Sequence, residues 1–378
     1  MAARLFPRGL AALGLVAFLN ACASAPSTLP PPGPPLPPPP RPASPPASPD
    51  APPSSPAPGP AEPTGEILPL AALPGWARED HLAALRAYQA GCGAQKAPSG
   101  TCQRARLLTT TDAGEARLFL EQNFRAAPLP GSGTLTAYFS PVYQASAEPS
   151  AEFSAPVRPT PADLKPGVVY APRDEIEART PNDAIAWMRP EDLFFLQIQG
   201  SGTLVYPDGR RAKALFAAHN SRAFAGIANP MRQRGLLAVN NTSGEAIRAW
   251  LAAHRGPEAA EIMNLNPRYV FFRLAPDDDR DPAGAAGVSL PAGHAIAVDP
   301  AFHQMGQFYW IDAAAPLLAG AFPTYQRAVM ALDTGGAIKG AVRADLYTGR
   351  GDAAGQEAGR VRHELRMYRL IPVDDQVR

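Results

Sequence analysis

The chain has 378 residues, 35 Lys plus Arg against 34 Asp plus Glu, a formal charge of +1 at pH 7, and 46% hydrophobic residues. Near-neutrality argues against a nucleic-acid binder, which needs a basic face. Beyond a Pro-rich tail, about 310 residues remain, enough for a full core in two domains or one large one.

Residues 1–22 read as a targeting segment. Arg4 and Arg8 form a basic n-region, and the apolar run from Leu10 to Phe18 is too short to span a bilayer. It ends in Leu19-Asn20-Ala21-Cys22, small residues before a lone Cys, which resembles the bacterial lipoprotein lipobox. The alternative is an ordinary signal peptide cut at an Ala, with Cys22 incidental. Cys22 falls where cleavage should fall, which favours lipidation of Cys22 as the new N-terminus. Ala23 follows, not Asp, resembling the outer-membrane sorting pattern. The expected location is therefore the periplasmic face of the outer membrane, reached through a lipid anchor. Residues 23–65 are rich in Pro, Ala, Ser and Gly and cannot bury a core. An extended spacer at ~3.1 Å per residue would reach roughly 100 Å.

The first helix is expected to end at Gly91, with Asp80 as N-cap and Leu82, Leu85 and Tyr88 on one face. Cys92 and Cys102 flank a loop with Gly93, Pro98 and Gly100. With Cys22 lipidated, this even pair in an exported chain suggests a disulfide. A second helix is predicted over 113–124, with Asp112 as N-cap. Residues 133–146 read as a strand entering a Pro-bounded turn, with Thr136 and Tyr138 on it. Leu193 to Gln199 reads as a buried strand ending in Gly200-Ser201-Gly202. That end either exposes N–H groups and leaves the Gln199 amide free to read hydroxyls, or turns a hairpin into Gly202–Tyr206. Ser243 caps a helix carrying Ile247, Trp250 and Leu251, and strands follow over 266–272, 305–311 and 365–371. Residues 287–300 read as strand–turn–strand.

The apolar run Ala328–Leu332 feeds a stretch with two acids, Asp333 and Asp345, separated by Gly335, Gly336 and Gly340. Glycines there allow positive φ or close approach, so the acids are held in fixed positions. They are either a general acid with a neighbour or two turn-capping aspartates. The six histidines show no metal-ligand spacing. There is no Gly-x-Ser-x-Gly elbow. The run Gly335–Gly340 lacks the spacing of a phosphate loop and the Ser or Thr after Lys339.

Asp333-Thr-Gly-Gly-Ala-Ile-Lys-Gly, then Ala344-Asp345-Leu-Tyr and Gly349-Arg-Gly-Asp-Ala-Ala-Gly355, resembles the C-terminal 3D segment of the membrane-bound lytic transglycosylase A (MltA) family. Those enzymes cleave the glycan strands of peptidoglycan. Gln199–Gly202 resembles the family's Gln-Gly-Ser-Gly, and Asn266–Phe272 its Asn-Pro-x-Tyr/Phe-Val-Phe-Phe strand. Thr136–Pro141 resembles its Thr-Gly-Tyr-Tyr/Phe-x-Pro stretch, with Ala137 where Gly is usual. Residues 216–228 keep Asn220 and Ile227 of the family pattern, and Met305–Phe308 departs from it.

The resemblance implies a mainly β fold: a double-psi β-barrel domain with an inserted smaller β-rich domain, a groove between them, and a few N-terminal helices. The expected division is 66–156 for the first part of the barrel domain, 157–272 for the insert and 273–378 for the second part. The resemblance makes Asp345 the sole catalytic carboxylate of a lytic exotransglycosylase. Asp333 becomes a supporting acid that tunes its pKa or anchors the turn. Substrate-binding roles fall on Thr136, Tyr138, Gln199, Gly200, Ser201, Gly202 and Lys339, and Lys339 is otherwise a solvated charge. No metal and no cofactor are expected. The expected partner is the peptidoglycan glycan strand, with cell-wall synthesis or division proteins as candidate protein partners. One rival reading is an expansin-like module that binds wall polysaccharide without cutting it. A second is a hydrolase with a further carboxylate.

Overall fold

The computed structural model describes residues 62–238 and 241–374. Cys22 and nearly all of the Pro-rich spacer lie outside them.

β1 (Leu68–Pro69) pairs antiparallel with β2 (Phe124–Pro128), and three helices lie between. α1 (His81–Gly91) begins where the Asp80 carboxylate accepts the Ala83 N–H at 2.9 Å. α2 (Gly100–Leu107) occupies part of the stretch expected as loop, because the Ser99 hydroxyl accepts the Cys102 N–H and starts a helix there. Cys92 and Cys102 are bonded, with Cα atoms 5.7 Å apart, which ties the end of α1 to α2. α3 (Ala113–Asn123) starts at Asp112. Trp76, Tyr88, Phe124, Phe308 and Trp310 share the core these helices make with later strands.

β3 (Gly133–Ser140) leads into a second lobe. Its elements are β4 (Val142–Gln144), β5 (Ala155–Val157), α4 (Arg173–Glu177), β6 (Ala186–Met188), α5 (Pro190–Gln199), β7 (Gly202–Val205) and β8 (Arg211–His219). α6 (Ala228–Gln233), α7 (Gly244–Ala253), α8 (Pro257–Asn264) and β9 (Val270–Pro276) complete it. A four-stranded sheet runs in the order β4-β7-β8-β9, and β5 pairs with β6. Residues 193–199, expected as a strand, are the helix α5. A seven-residue run with five apolar positions fits either state, and the flanks decide. Pro190 sits in the first turn with Glu191 and Asp192, and Gly200 ends the helix at φ 83°. Helices therefore also occur well beyond the N-terminal region.

The remaining elements are β10 (Ala295–Val298), β11 (Phe308–Ala313), β12 (Tyr325–Thr334), β13 (Arg343–Arg350), α9 (Gly351–Ala358) and β14 (Arg362–Pro372). Residues 287–300 hold one strand, β10, where two were expected. Upstream of it the backbone makes only an isolated bridge between Ala283 and Ser289. The order β14-β11-β12-β10-β13-β3 returns to β14, closing a six-stranded barrel without free edges. Leu135, Ile296, Val329, Ala344, Leu346 and Leu365 point into the barrel core.

One irregularity bears on the site. Ile296 pairs with Ala331, but Ala297 pairs with Asp333, so Leu332 is passed over. Strand side chains alternate faces, and Ala331 faces the barrel core. Without the extra residue Asp333 would point inward too. The bulge turns it to the outer face.

Candidate active site

Asp333 and Asp345 flank one small residue. Ala297 on β10 is the partner of Asp333 on β12 and of Asp345 on β13. Asp345 in turn pairs with Thr136 on β3, and Thr136 with Arg362 on β14. These five residues form one row across the barrel's outer surface, and registered neighbours point the same way. Two strand spacings put the two acid Cα atoms roughly 10 Å apart. Ala297 between them leaves the floor open.

The two carboxylates carry different hydrogen-bond loads. Asp333 accepts three donors: the Tyr138 hydroxyl at 2.7 Å and the backbone N–H groups of Ala285 and Thr334, each at 2.9 Å. Asp345 accepts a short hydrogen bond from the Thr136 hydroxyl, and Arg343 donates to that same hydroxyl oxygen at 2.8 Å. Burial pushes the Asp345 carboxyl above its ordinary range, against the lowering pull of the Thr136 hydrogen bond and the Arg343 charge, while the Asp333 charge raises it further. Burial also raises Asp333, and its three hydrogen bonds oppose the shift. The Tyr138 phenol is pushed up by burial and by the Asp333 charge and stays protonated as a donor.

Both acids open into a cleft of about 310 Å³ between the barrel's outer face and the second lobe. Thr136, Tyr138, Gln199 and Gly200 line it with the two acids. The hydroxyls of Thr136 and Tyr138 are engaged by the acids, so these residues reach the cleft as holders of carboxylates. Gln199 lines the cleft and accepts the Phe139 N–H at 3.3 Å through Oε1, so its NH₂ group is not used in that bond. Gly200 is the left-handed cap that ends α5 at the cleft wall.

Three expected residues do not line the cleft. Gly202 is buried in β7, and a Cβ there would lie 2.6 Å from Leu196 Cδ1 and 2.9 Å from the Pro141 carbonyl. Its missing side chain serves packing. Ser201 sits between the cap and that strand. Lys339 is exposed and pairs with Asp299 at 3.5 Å.

Sequence reasoning gave no role to Arg343, Gln197, Arg268, Phe216 or Phe224, all of which line the cleft. Arg343 stands two residues before Asp345 on the same strand face, so strand periodicity could have found it. The others come from parts of the lobe that only the fold brings to the acids. Asn220 lies behind the wall. It donates to the Ala171 and Pro267 carbonyls at 2.9 and 2.8 Å and accepts the Tyr269 N–H at 2.9 Å.

A family model described as the MltA specific insert domain matches residues 134–273, and one described as the 3D domain matches 294–371. The chain is 31% identical over 256 residues to a membrane-bound lytic murein transglycosylase A of Vibrio cholerae, covering 64% of this chain and 66% of the relative. It is 33% identical over 248 residues to the protein of that name in Escherichia coli K12, with the same coverage of 64% and 66%. The match thus spans just under two thirds of each relative's length. Among solved structures, a membrane-bound lytic murein transglycosylase from Agrobacterium tumefaciens superposes with a TM-score of 0.69 at 29% identity, covering 83% of this chain and 99% of that one. MltA from Neisseria gonorrhoeae gives 0.71 at 26% identity, covering 85% and 98%. E. coli MltA with bound chitohexaose gives 0.58 at 28% identity, covering 72% and 81%.

Proposed function

Because the chain belongs to the MltA family, we propose that it is a lytic transglycosylase. It cleaves the bond between N-acetylmuramic acid and N-acetylglucosamine in peptidoglycan and leaves 1,6-anhydromuramoyl ends. The observation that carries this reading is the asymmetry of the two acids. Asp345 faces the cleft with one hydroxyl donor, while Asp333 is saturated by three donors, although burial raises both carboxyls.

Asp345 in its acid form protonates the glycosidic oxygen as the bond to the muramoyl C1 breaks. The C6 hydroxyl of the same sugar then attacks C1, and the Asp345 carboxylate takes its proton. The C6 hydroxyl is tethered to the reacting sugar, so its effective concentration replaces an activated water. A second free carboxylate, which an ordinary glycosidase needs, has no task here. Asp333 holds Tyr138 and raises Asp345 by like charge. Arg343 fixes the Thr136 hydroxyl, which in turn fixes the Asp345 carboxyl. The E. coli relative that binds chitohexaose supports a cleft that takes a β-1,4-linked sugar chain.

A barrel interrupted by an insert is supported by separate hydrophobic cores in barrel and lobe, and the lobe's core and sheet take in Tyr143 and β4, ahead of the start expected at 157. Attachment to the outer membrane through Cys22 is supported by the lipobox resemblance and by relatives called membrane-bound. Among the described residues no helix is long and apolar enough to cross a membrane.

The test pairs turnover on purified sacculi with sedimentation on the same sacculi. Asp345→Asn should lose ~10²–10⁴ or more in rate while still sedimenting. Near wild-type turnover of this variant would remove Asp345 from the mechanism. A wild-type protein that sediments but releases no fragments would be a binding module instead.

A further inference from the structure

Arg268 is an unmatched charge in the cleft wall. Its backbone is pinned at three successive carbonyls. The buried Arg173 guanidinium donates to Asn266 O at 3.0 Å and to Arg268 O at 2.8 Å, and Asn220 Nδ2 donates to Pro267 O at 2.8 Å. The Arg268 side chain donates through Nη1 to the Arg222 carbonyl at 3.2 Å. Among the described residues its Nε and Nη2 have no protein acceptor and it forms no ion pair. Arg158, Arg211, Arg248 and Arg255 of the same lobe each meet a carboxylate. Burial alone draws the Arg268 pKa down, and its charge helps lower that of His219 nearby.

The guanidinium sits at the cleft beside the turn that follows Asp333. A Cβ built on Gly336 would lie 3.4 Å from Arg268 Cζ. Phe216, 46% exposed, and Phe224 line the same cleft and offer apolar faces to sugar rings. A half-buried guanidinium with two free donor positions is costly unless a ligand supplies the acceptor. Arg268 also stands at the variable position of the Asn-Pro-x-Tyr pattern, so the family pattern gives it no role.

We propose that Arg268 binds a carboxylate carried by the glycan strand, which makes the cleft selective for acid-bearing muramoyl sugars over neutral β-1,4-linked oligosaccharides. The inference rests on the transglycosylase reading of the cleft and deepens it. The carboxylate has two sources of one chemistry: the lactyl ether arm, free once the stem peptide is removed, or the stem peptide itself.

Titration calorimetry separates them in full chains carrying Asp345→Asn, which prevents cleavage. Three ligands are compared: peptide-free muramoyl strands, peptide-bearing strands and chitohexaose. Arg268→Gln should weaken binding of at least one acidic strand about tenfold or more, with chitohexaose within about twofold. Arg268→Lys should recover part of the loss, because it keeps the charge but not the fork. A loss confined to peptide-free strands assigns the lactyl arm, and one confined to peptide-bearing strands assigns the stem. Unchanged affinity for both acidic strands overturns the inference, as does an equal loss for chitohexaose. Failure of the transglycosylase reading would show separately, as a wild-type enzyme that makes no anhydro ends.

Discussion

Asp333 and Asp345 are the same residue type on the same barrel face, and their neighbours separate them. Three donors anchor Asp333 and oppose the upward push of its burial, whereas Asp345 holds one hydroxyl and opens to the cleft. The acids were legible in the sequence because the glycines and the pair Leu346-Tyr347 lie in the same short string. The partners Thr136 and Tyr138 were legible only as sugar-binding residue types. Their attachment to the acids depends on parallel pairing of β3 with β13, a contact over about two hundred positions that no local pattern encodes. The raised pKa of Asp345 has a measurable sign. A carboxyl raised on folding contributes stability below its unfolded pKa and loses it as pH rises through the folded one. Asp345→Asn should therefore raise the melting temperature at pH 7, with the gain shrinking as pH falls toward 4. A variant less stable than wild type at pH 7 would mean the carboxylate is stabilising in its ionised form. The rate should fall at high pH as the acid form is lost, along a limb above that of an ordinary carboxylate.

At the scale of elements, caps were readable and extended runs were not. Asp80, Asp112 and Ser243 start α1, α3 and α7 because an oxygen side chain before an amphipathic run satisfies free N–H groups. Leu193–Gln199 misled because its apolar run has no clear period, and only Pro190 before it and Gly200 after it signal a helix. The bulge at Leu332 had no visible signal, and it decides the direction of Asp333. The Cys92–Cys102 bond closes a short loop between α1 and α2. On the chain-entropy account its loss should cost ~2–3 kcal/mol. Paired Cys92→Ser and Cys102→Ser should lower the denaturant midpoint accordingly, and peptide mapping without reductant should find the two cysteines joined. Two free thiols in protein taken from an oxidising compartment would contradict this.

At the scale of the whole molecule, the cleft exists because barrel and lobe are held together beside it. Arg350 of β13 donates to both Asp277 oxygens at 2.9 Å and to the Thr203 hydroxyl at 3.0 Å, bridging barrel and lobe. Arg350→Ala removes this clamp, and a loss of about 1–3 kcal/mol is expected for charged hydrogen bonds. Hydrogen exchange should quicken in β7 and β9 while the barrel interior stays protected, and a uniform change over the chain would argue against a local clamp. The barrel's closure could not be read from strand signals alone, because β3 and β10–β14 are separated by the lobe and pair out of sequence order. Location depends on the other end of the chain. Cys22→Ser should release the protein from the membrane fraction, and unchanged retention in high salt would exclude the lipid anchor.

The central claim is that one acid, Asp345, directs an intramolecular closure rather than hydrolysis. Mass spectrometry of sacculi digested in heavy-oxygen water tests it most directly. The account predicts 1,6-anhydromuramoyl ends that carry no heavy oxygen, and their disappearance with Asp345→Asn. Reducing ends labelled at C1 would show that water attacks and would contradict it.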